Sequence, residues 1–504
     1  MTTFLVGLVI LIVGAAVYGK ICENVIKPDD RKTPAFTKQD GVDYVPMKTW
    51  KNSLINLLNI AGTGPILGPI QGILFGPVAF ILIPIGNILG GALHDYFSGM
   101  LALRNNGMQM PDLVKKYTNG PVYNIYNIFV CLLMLLVGAV FIYTPGDIAA
   151  VQVLGLSGKA TDVSTWVVYG VIFIYFLMAT MFPIDKLIGR IYPVFGAILL
   201  FSAVGIFAGL FLKGYTLPEF TMESLKVGHP AGQRLIPMFF ITVACGIVSG
   251  FHSTQTAIIS RSVTSEKQGR MTFYNMMVLE GFIAMIWAAA AIGAANGGIT
   301  VSDAYPGQLD MLLKAPTLVI GVVARDMLGN MGGMVAILGV IVLPITSGDT
   351  ALRSLRLMIA DYIHLDQKPM RNRLYICVPV FALVIGILYW SKTSPGGFNM
   401  LWRYFAWSNQ TISIFAFAII SIYMLGKGYR AAALMSLIPG MWYAFITFTF
   451  ICNAQIGFNL PMNIAYTLGI IFALVYGALV YTQGSRIRLA HTPLEAEPLY
   501  GGSV

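Results

Sequence analysis

The sequence predicts an all-α polytopic membrane protein of about 13 transmembrane helices, two of them discontinuous, with the central ten arranged as a 5+5 inverted repeat. Three observations predict it. Of 504 residues 57% are hydrophobic and only 11% charged, whereas a soluble domain carries about 25% charged residues. Apolar runs near the roughly 20 residues needed to cross a hydrocarbon core recur along the whole chain, with no soluble domain between them. Two of these runs are interrupted, five spans apart, and the alternation of basic loops sends them through the bilayer in opposite senses.

Residues Thr3 to Tyr18 form the first span. No small-residue cleavage site follows and the next residues are basic, so it reads as a helix and not as a leader. Lys20, Lys27, Arg31, Lys32, Lys38, Lys48 and Lys51 then place the linker in the cytoplasm and the N-terminus outside. The first interrupted span runs from Ser53 to Val78 and contains Ala61-Gly62-Thr63-Gly64-Pro65-Ile66-Leu67-Gly68-Pro69. Pro65 and Pro69 lack the amide N–H and clash with the preceding turn, so carbonyls around Ala61 and Gly62 lose their helical partners. Such backbone is tolerated at membrane depth only when buried in protein or lining a cavity, and a ligand or ion is the expected partner. Val78 to Leu103 returns to Arg104, Lys115 and Lys116. Tyr123 to Tyr143 exits to a loop around Asp147 and Asp162, Trp166 to Phe182 returns to Lys186 and Arg190, and Ile191 to Leu212 exits to the loop Lys213 to Arg234.

The second interrupted span, Ile236 to Ser260, breaks at Cys245-Gly246-Ile247-Val248-Ser249-Gly250-Phe251-His252-Ser253 and ends at Arg261, Lys267 and Arg270. Met276 to Ala294 leads out. An amphipathic piece, Thr317 to Leu328, precedes the span Met334 to Ala351, which ends at Arg353, Arg356, Lys368, Arg371 and Arg373. Leu374 to Trp390, Leu401 to Leu425, Ala431 to Cys452 and Asn463 to Tyr481 complete the chain, with Lys427, Arg430, Arg486 and Arg488 on the cytoplasmic side. The domains expected are an extra helix and linker (1–51), a first five-helix repeat (52–213), a second, inverted one (235–425), and two C-terminal helices with a cytoplasmic tail (426–504). Glycine-rich patches also serve close helix packing. Two such patches, five spans apart and oppositely oriented, favour a binding site.

The net charge of +10 reads as cytoplasmic-loop bias rather than a nucleic-acid footprint, so the expected partners are a small substrate and the lipid bilayer. The five cysteines show no CxxC spacing, and neither a disulfide framework nor a zinc site is expected. Ionisable groups inside a membrane mark ion paths or substrate sites. His94 and Asp95 lie in the third span, His252 in the second break, Glu280 in the span after it, and Asp349 at the end of Met334 to Ala351. Asp349 with Thr346, Ser347 and Thr350 forms a hard-oxygen set suited to Na⁺ or a proton, completed by carbonyls near Ala61 and Gly64; its alternative is an ion pair with Arg353, one turn on. His94, Asp95 and Glu280 are candidates for a proton relay. His252 shares a helix face with Ser249, Gln255 and Thr256. Trp407, in the run Trp402, Tyr404, Phe405, Trp407 followed by Asn409-Gln410, is a candidate gate.

Four stretches carry a family resemblance: Ala61 to Pro69; Gly90-Gly91-Ala92-Leu93-His94-Asp95-Tyr96 continuing to Arg104-Asn105-Asn106-Gly107; Cys245 to His252; and Thr346-Ser347-Gly348-Asp349-Thr350-Ala351-Leu352-Arg353. In these the chain resembles the carbon starvation protein A family of transporters, over roughly residues 52–425. His94 stands where that family is expected to carry glutamine, and the chain is shorter than the enterobacterial-type members; both bear on the substrate more than on the fold. The resemblance implies a LeuT-like, cation-coupled fold and uptake of peptides or pyruvate. Such anions would be held by half-helix N-termini, which makes Gly62, Thr63, Gly64, Gly68, Ser249, Gly250, His252, Ser253 and Gln255 the expected substrate contacts. The function expected is a secondary active importer in the bacterial cytoplasmic membrane, coupled to H⁺ or Na⁺, with no cofactor. No GxxxxGK[ST] supports ATP-driven transport, and no HExxH supports the competing reading as an intramembrane metal-dependent enzyme. An uncoupled facilitator is a further alternative. A proton-pumping respiratory subunit would place lysines mid-helix, whereas these lysines read as loop residues.

Overall fold

The computed structural model describes residues 1–41, 43–181, 185–299, 309–367 and 369–490, except for the side chains of 182–193, 361 and 488–490. The landmarks Lys186, Arg190, Lys368 and Arg488 therefore lie outside what is described. All regular structure among the described residues is helical. Among the described residues eleven helices are long and apolar enough to cross a bilayer, and twelve when Thr49–Ile60 and Gly64–Phe75, inclined at 49°, count as one bent span. The remaining expected span, Ile236 to Ser260, is divided among Leu235–Thr242, Ala244–Ile247 and Gly250–Ser260, each too short to cross alone.

Four spanning helices separate the two broken segments: Ala79–Arg104, Gly120–Val153, Val163–Met181 and Val194–Leu212. Burial sorts the helices into layers. The apolar windows of Gly397–Gly426 and Glu266–Asn296 are 89% and 83% buried, so these two lie in the interior, whereas Thr2–Ile26 and Met462–Ile487, at 33% and 28%, lie on the periphery. The first helix packs on Ala79–Arg104, where a Cβ at Gly7 would sit 2.1 Å from the Phe80 carbonyl oxygen. Its free N–H groups are capped from the loop after residue 212: Glu219 accepts from Thr2 N and Thr3 N, both at 2.7 Å, as helix N-termini require.

Two sequence expectations are corrected and a third is refined. Pro65 lies in the first turn of Gly64–Gly72 and Pro69 inside that helix, so the first break narrows to residues 61–63. A proline in the first turn sacrifices only an N–H that has no helical acceptor. The helix Gly120–Val153 runs past Asp147, which is buried within it instead of lying in a loop. Lys392 reaches that carboxylate at 2.5 Å and Tyr169 donates to it at 2.7 Å, so one lysine leaves the loops to neutralise a buried acid. The amphipathic piece before Met334 is helical and is separated from the long span by Gly329 alone, at φ 70°, a conformation that favours glycine.

Candidate functional site

The two breaks meet. The first half-helix ends where the Ala61 N–H bonds to the Leu57 carbonyl at 2.7 Å, and the chain restarts as helix at Gly64. Opposite, Val248 and Ser249 are extended. A Cβ on Gly64 would lie 2.2 Å from Cys245 Cβ, one on Gly68 3.0 Å from the Thr242 carbonyl oxygen, and one on Gly72 2.2 Å from Val243 Cγ2. A glycine face is thus laid directly on the second break, at a distance no side chain permits. Gly62, Gly64, Phe141, His252, Phe405 and Asn409 line the space left between the breaks, which has room for about one water molecule.

Carbonyls at the second break are satisfied by side chains of neighbouring helices. Trp402 Nε1 donates to Thr242 O at 3.2 Å, Gln410 Nε2 donates to Phe240 O, and Asn87 Nδ2 donates to Gly246 O at 3.1 Å while also reaching Met277 O on the helix Asn275–Asn296 at 3.0 Å. Leaving each unpaired would cost about 1–3 kcal/mol. Asn409 performs the corresponding task for the second half-helix: its Oδ1 accepts from Phe251 N at 2.8 Å and from Ser249 Oγ at 3.1 Å.

Beside this junction four ionisable side chains from three helices form one chain, each with 0% exposure. His94 Nδ1 lies 2.8 Å from Asp95 Oδ1, His252 Nδ1 lies 3.0 Å from Asp95 Oδ2, and His252 Nε2 lies 3.5 Å from Glu280 Oε2. A π-bulge at Asn87–Ala92 immediately precedes Leu93–Arg104, the helix that supplies His94 and Asp95, and such bulges recur at functional sites. Both Glu280 oxygens, His252 Nε2 and His94 Nε2 lack a hydrogen-bond partner, so the chain has unspent capacity at His94 and at the step from His252 to Glu280. His252 belongs both to this chain and to the cavity wall. The arrangement is linear: among the described residues no three His, Cys, Asp or Glu side chains are grouped to hold a metal.

The other predicted residues divide. Gly62 and Gly64 line the cavity, and Thr63 is buried with its hydroxyl unpaired. Gly68 serves helix packing, as does Gly250, whose Cβ would meet the Asn409 carbonyl oxygen at 2.3 Å. Ser253 Oγ bonds back to Gly250 O at 2.6 Å and Gln255 Nε2 donates to Thr254 at 3.2 Å, and neither residue lines the cavity. Asp349 is held by Tyr175 OH at 2.9 Å and Thr350 Oγ1 at 3.0 Å. Thr346 donates to its own helix, and Ser347 Oγ alone of that set is buried without a partner. Trp407 does not close the cavity: it donates to Thr447 O at 3.0 Å and lines a lateral groove of about 720 Å³. Sequence reasoning missed Asn87, Phe141 and the role of Asn409; an asparagine inside an apolar span was the available signal.

An all-helical membrane bundle in which two broken segments pack face to face beside a buried ionisable chain defines the class as a membrane transporter, not an enzyme. The fold is shared with crystal structures of variants of a manganese transporter from Eremococcus coleocola, at TM-score 0.53 and 12% identity over 88% of this chain and 94% of that one. That likeness concerns the fold alone. A model of the family "Carbon starvation protein CstA" matches residues 1–147, 142–301 and 313–450, and the chain belongs to this family. It is similar to an uncharacterized membrane protein of Haemophilus influenzae, 39% identical over 62% of this chain and 96% of the relative. It is also similar to the peptide transporters CstA of Escherichia coli, 24% identical over 87% of this chain and 79% of the relative, and of Bacillus subtilis, 25% identical over 88% and 89%.

Proposed function

We propose that this protein is a proton-coupled secondary importer of small peptides or pyruvate, working by alternating access. The observation that carries the reading is the buried chain Glu280, His252, Asp95, His94, which reaches the inter-break cavity through His252. A proton added to this chain makes it one charge more positive, and a substrate carboxylate entering the cavity makes the site one charge more negative, in a place with room for about one water. Either is costly, and together they neutralise each other. Histidine suits the task because its charge changes near physiological pH. Coupling of this kind requires only that both ligands favour the same state.

Peptide as substrate class is supported by the names of the relatives, and pyruvate by the family resemblance. The 5+5 repeat is supported by the four spans between the breaks and by the packing of the long helices Gly120–Ile148 and Pro316–Tyr362 along each other. On this reading the repeats are 52–213 and 235–425, with the N-terminus outside and the C-terminus cytoplasmic. Protons are preferred to Na⁺ because Asp349 is already held by Tyr175 and Thr350. Uptake of labelled dialanine and pyruvate into proteoliposomes tests the proposal. A pH gradient should drive accumulation and a Na⁺ gradient should not; uptake indifferent to both would leave a facilitator.

A further inference from the structure

At one end of the bundle, against the helix piece that leads into the second break, lies a second pocket of about 430 Å³. That size falls among the roughly 300–1,000 Å³ of small-ligand sites, whereas the inter-break cavity has room for about one water. Pro237, Met238, Met400 and Phe450 supply an apolar lining, and Arg234 and Arg403 both open into the pocket. Among the described residues neither guanidinium has a carboxylate within ion-pairing distance, unlike Arg104 and Arg270, which pair with Glu266 and Glu23. Arg234 is exposed and Arg403 partly buried, and neither can shed its proton, so the pocket presents two fixed positive charges that no carboxylate of the described chain neutralises. His229, in the preceding loop, feels the same field: burial and then the Arg403 charge hold its imidazole down at about 4.

We infer that this pocket is a carboxylate-binding vestibule, in which Arg234 and Arg403 clamp the carboxylate of a small acid or peptide while the apolar wall receives its side chain. Guanidinium matches carboxylate bidentately. The pocket is tied to the break it adjoins, because Arg403 stands on Gly397–Gly426, the helix whose Trp402 and Gln410 hold Thr242 O and Phe240 O. Arg234 precedes the helix piece carrying those two carbonyls. An anion between the arginines therefore bridges the two elements that meet at the break.

The identity of the anion as transported substrate rests on the transport reading; the anion site itself does not. The test uses the purified full-length protein in two arms. In the binding arm, acetate, pyruvate and dialanine should raise thermal stability, while dialanine amide and inorganic phosphate should do so at least tenfold less effectively. Arg403→Gln and Arg234→Gln should each weaken carboxylate binding about tenfold or more, with Arg403→Lys intermediate. In the uptake arm, Arg403→Gln should raise KM by a similar factor with kcat within about twofold of wild type. Stabilisation by carboxylate that the glutamine variants retain, or equal binding of phosphate, overturns the site while leaving transport intact. Carboxylate binding lost in the variants, with no uptake by the wild type, upholds the site and removes the transport assignment. A lost kcat at saturating substrate would make Arg403 part of the transport cycle and not of a vestibule.

Discussion

Replacing Gly64 by alanine puts a methyl group where Cys245 already stands. The new Cβ would lie 2.2 Å from Cys245 Cβ and 2.3 Å from its Sγ, against ordinary carbon contacts of about 3.5–4.0 Å, a shortfall of about 1.5 Å. Cys245 cannot swing away, because the clash includes its Cβ and the adjacent Gly246 carbonyl is held by Asn87. Overpacking of this kind costs about 1–3 kcal/mol, and the low compressibility of a packed interior puts this case at the upper end. The assay is the thermal unfolding midpoint of the purified protein, with initial uptake rate as the second readout. Cys245→Gly vacates the same space, so the double variant should recover part of the loss, with a coupling of at least about 1 kcal/mol. Gly170→Ala, inside the helix Val163–Met181 with nothing within 4 Å, is the control and should be neutral or stabilising by up to about 1 kcal/mol. Unchanged stability and uptake in Gly64→Ala, or strict additivity in the double variant, would falsify the contact between the two breaks.

Asp95→Asn removes the carboxylate charge between His94 and His252 and replaces one of its two accepting oxygens with an NH₂ donor; accumulation against a one-unit pH gradient should fall from about tenfold per proton to equilibrium, with counterflow exchange retained, and accumulation at the wild-type level would reject the relay. Glu266 is fully buried and accepts from Nε and Nη2 of Arg104, at 3.0 and 2.8 Å. Glu266→Gln should therefore destabilise the protein by about 3–5 kcal/mol by leaving that charge uncompensated, read as a lower unfolding midpoint; a midpoint equal to wild type contradicts the pairing. His229 has its imidazole depressed from 6.5 to about 4, by burial and then by Arg403. The unfolded chain thus takes up the proton first, so its contribution to stability is complete above pH 6.5, declines as the pH falls toward 4 and is level below that. His229→Gln should flatten this part of the stability profile, and an unaltered profile would count against the buried neutral imidazole.

The two breaks were legible because glycine and proline have few other uses inside an apolar span, and their separation by four spans followed from counting. Their partners were not. Asn87, Trp402 and Gln410 satisfy the exposed carbonyls from helices distant in sequence, and no periodicity announces such a pairing. His94, Asp95, His252 and Glu280 were each identifiable as charges in a costly place, yet spacing along separate helices gave no sign that each comes within 3.5 Å of the next. Gly68 and Gly250 were read as ligand contacts when their missing side chains serve close packing, since sequence does not distinguish the two uses of glycine. Trp407 was misplaced for a related reason: a helix with aromatics on all sides does not reveal which face meets the cavity.

The central claim is that a proton on the buried chain and a substrate between the breaks travel together. It is tested most directly by trapping a pH-sensitive dye inside proteoliposomes and adding dialanine outside, with no imposed gradient. The wild type should acidify the lumen in proportion to dialanine entry, while Asp95→Asn should leave the dye signal flat. Dialanine entering the wild-type vesicles without any acidification would contradict the account.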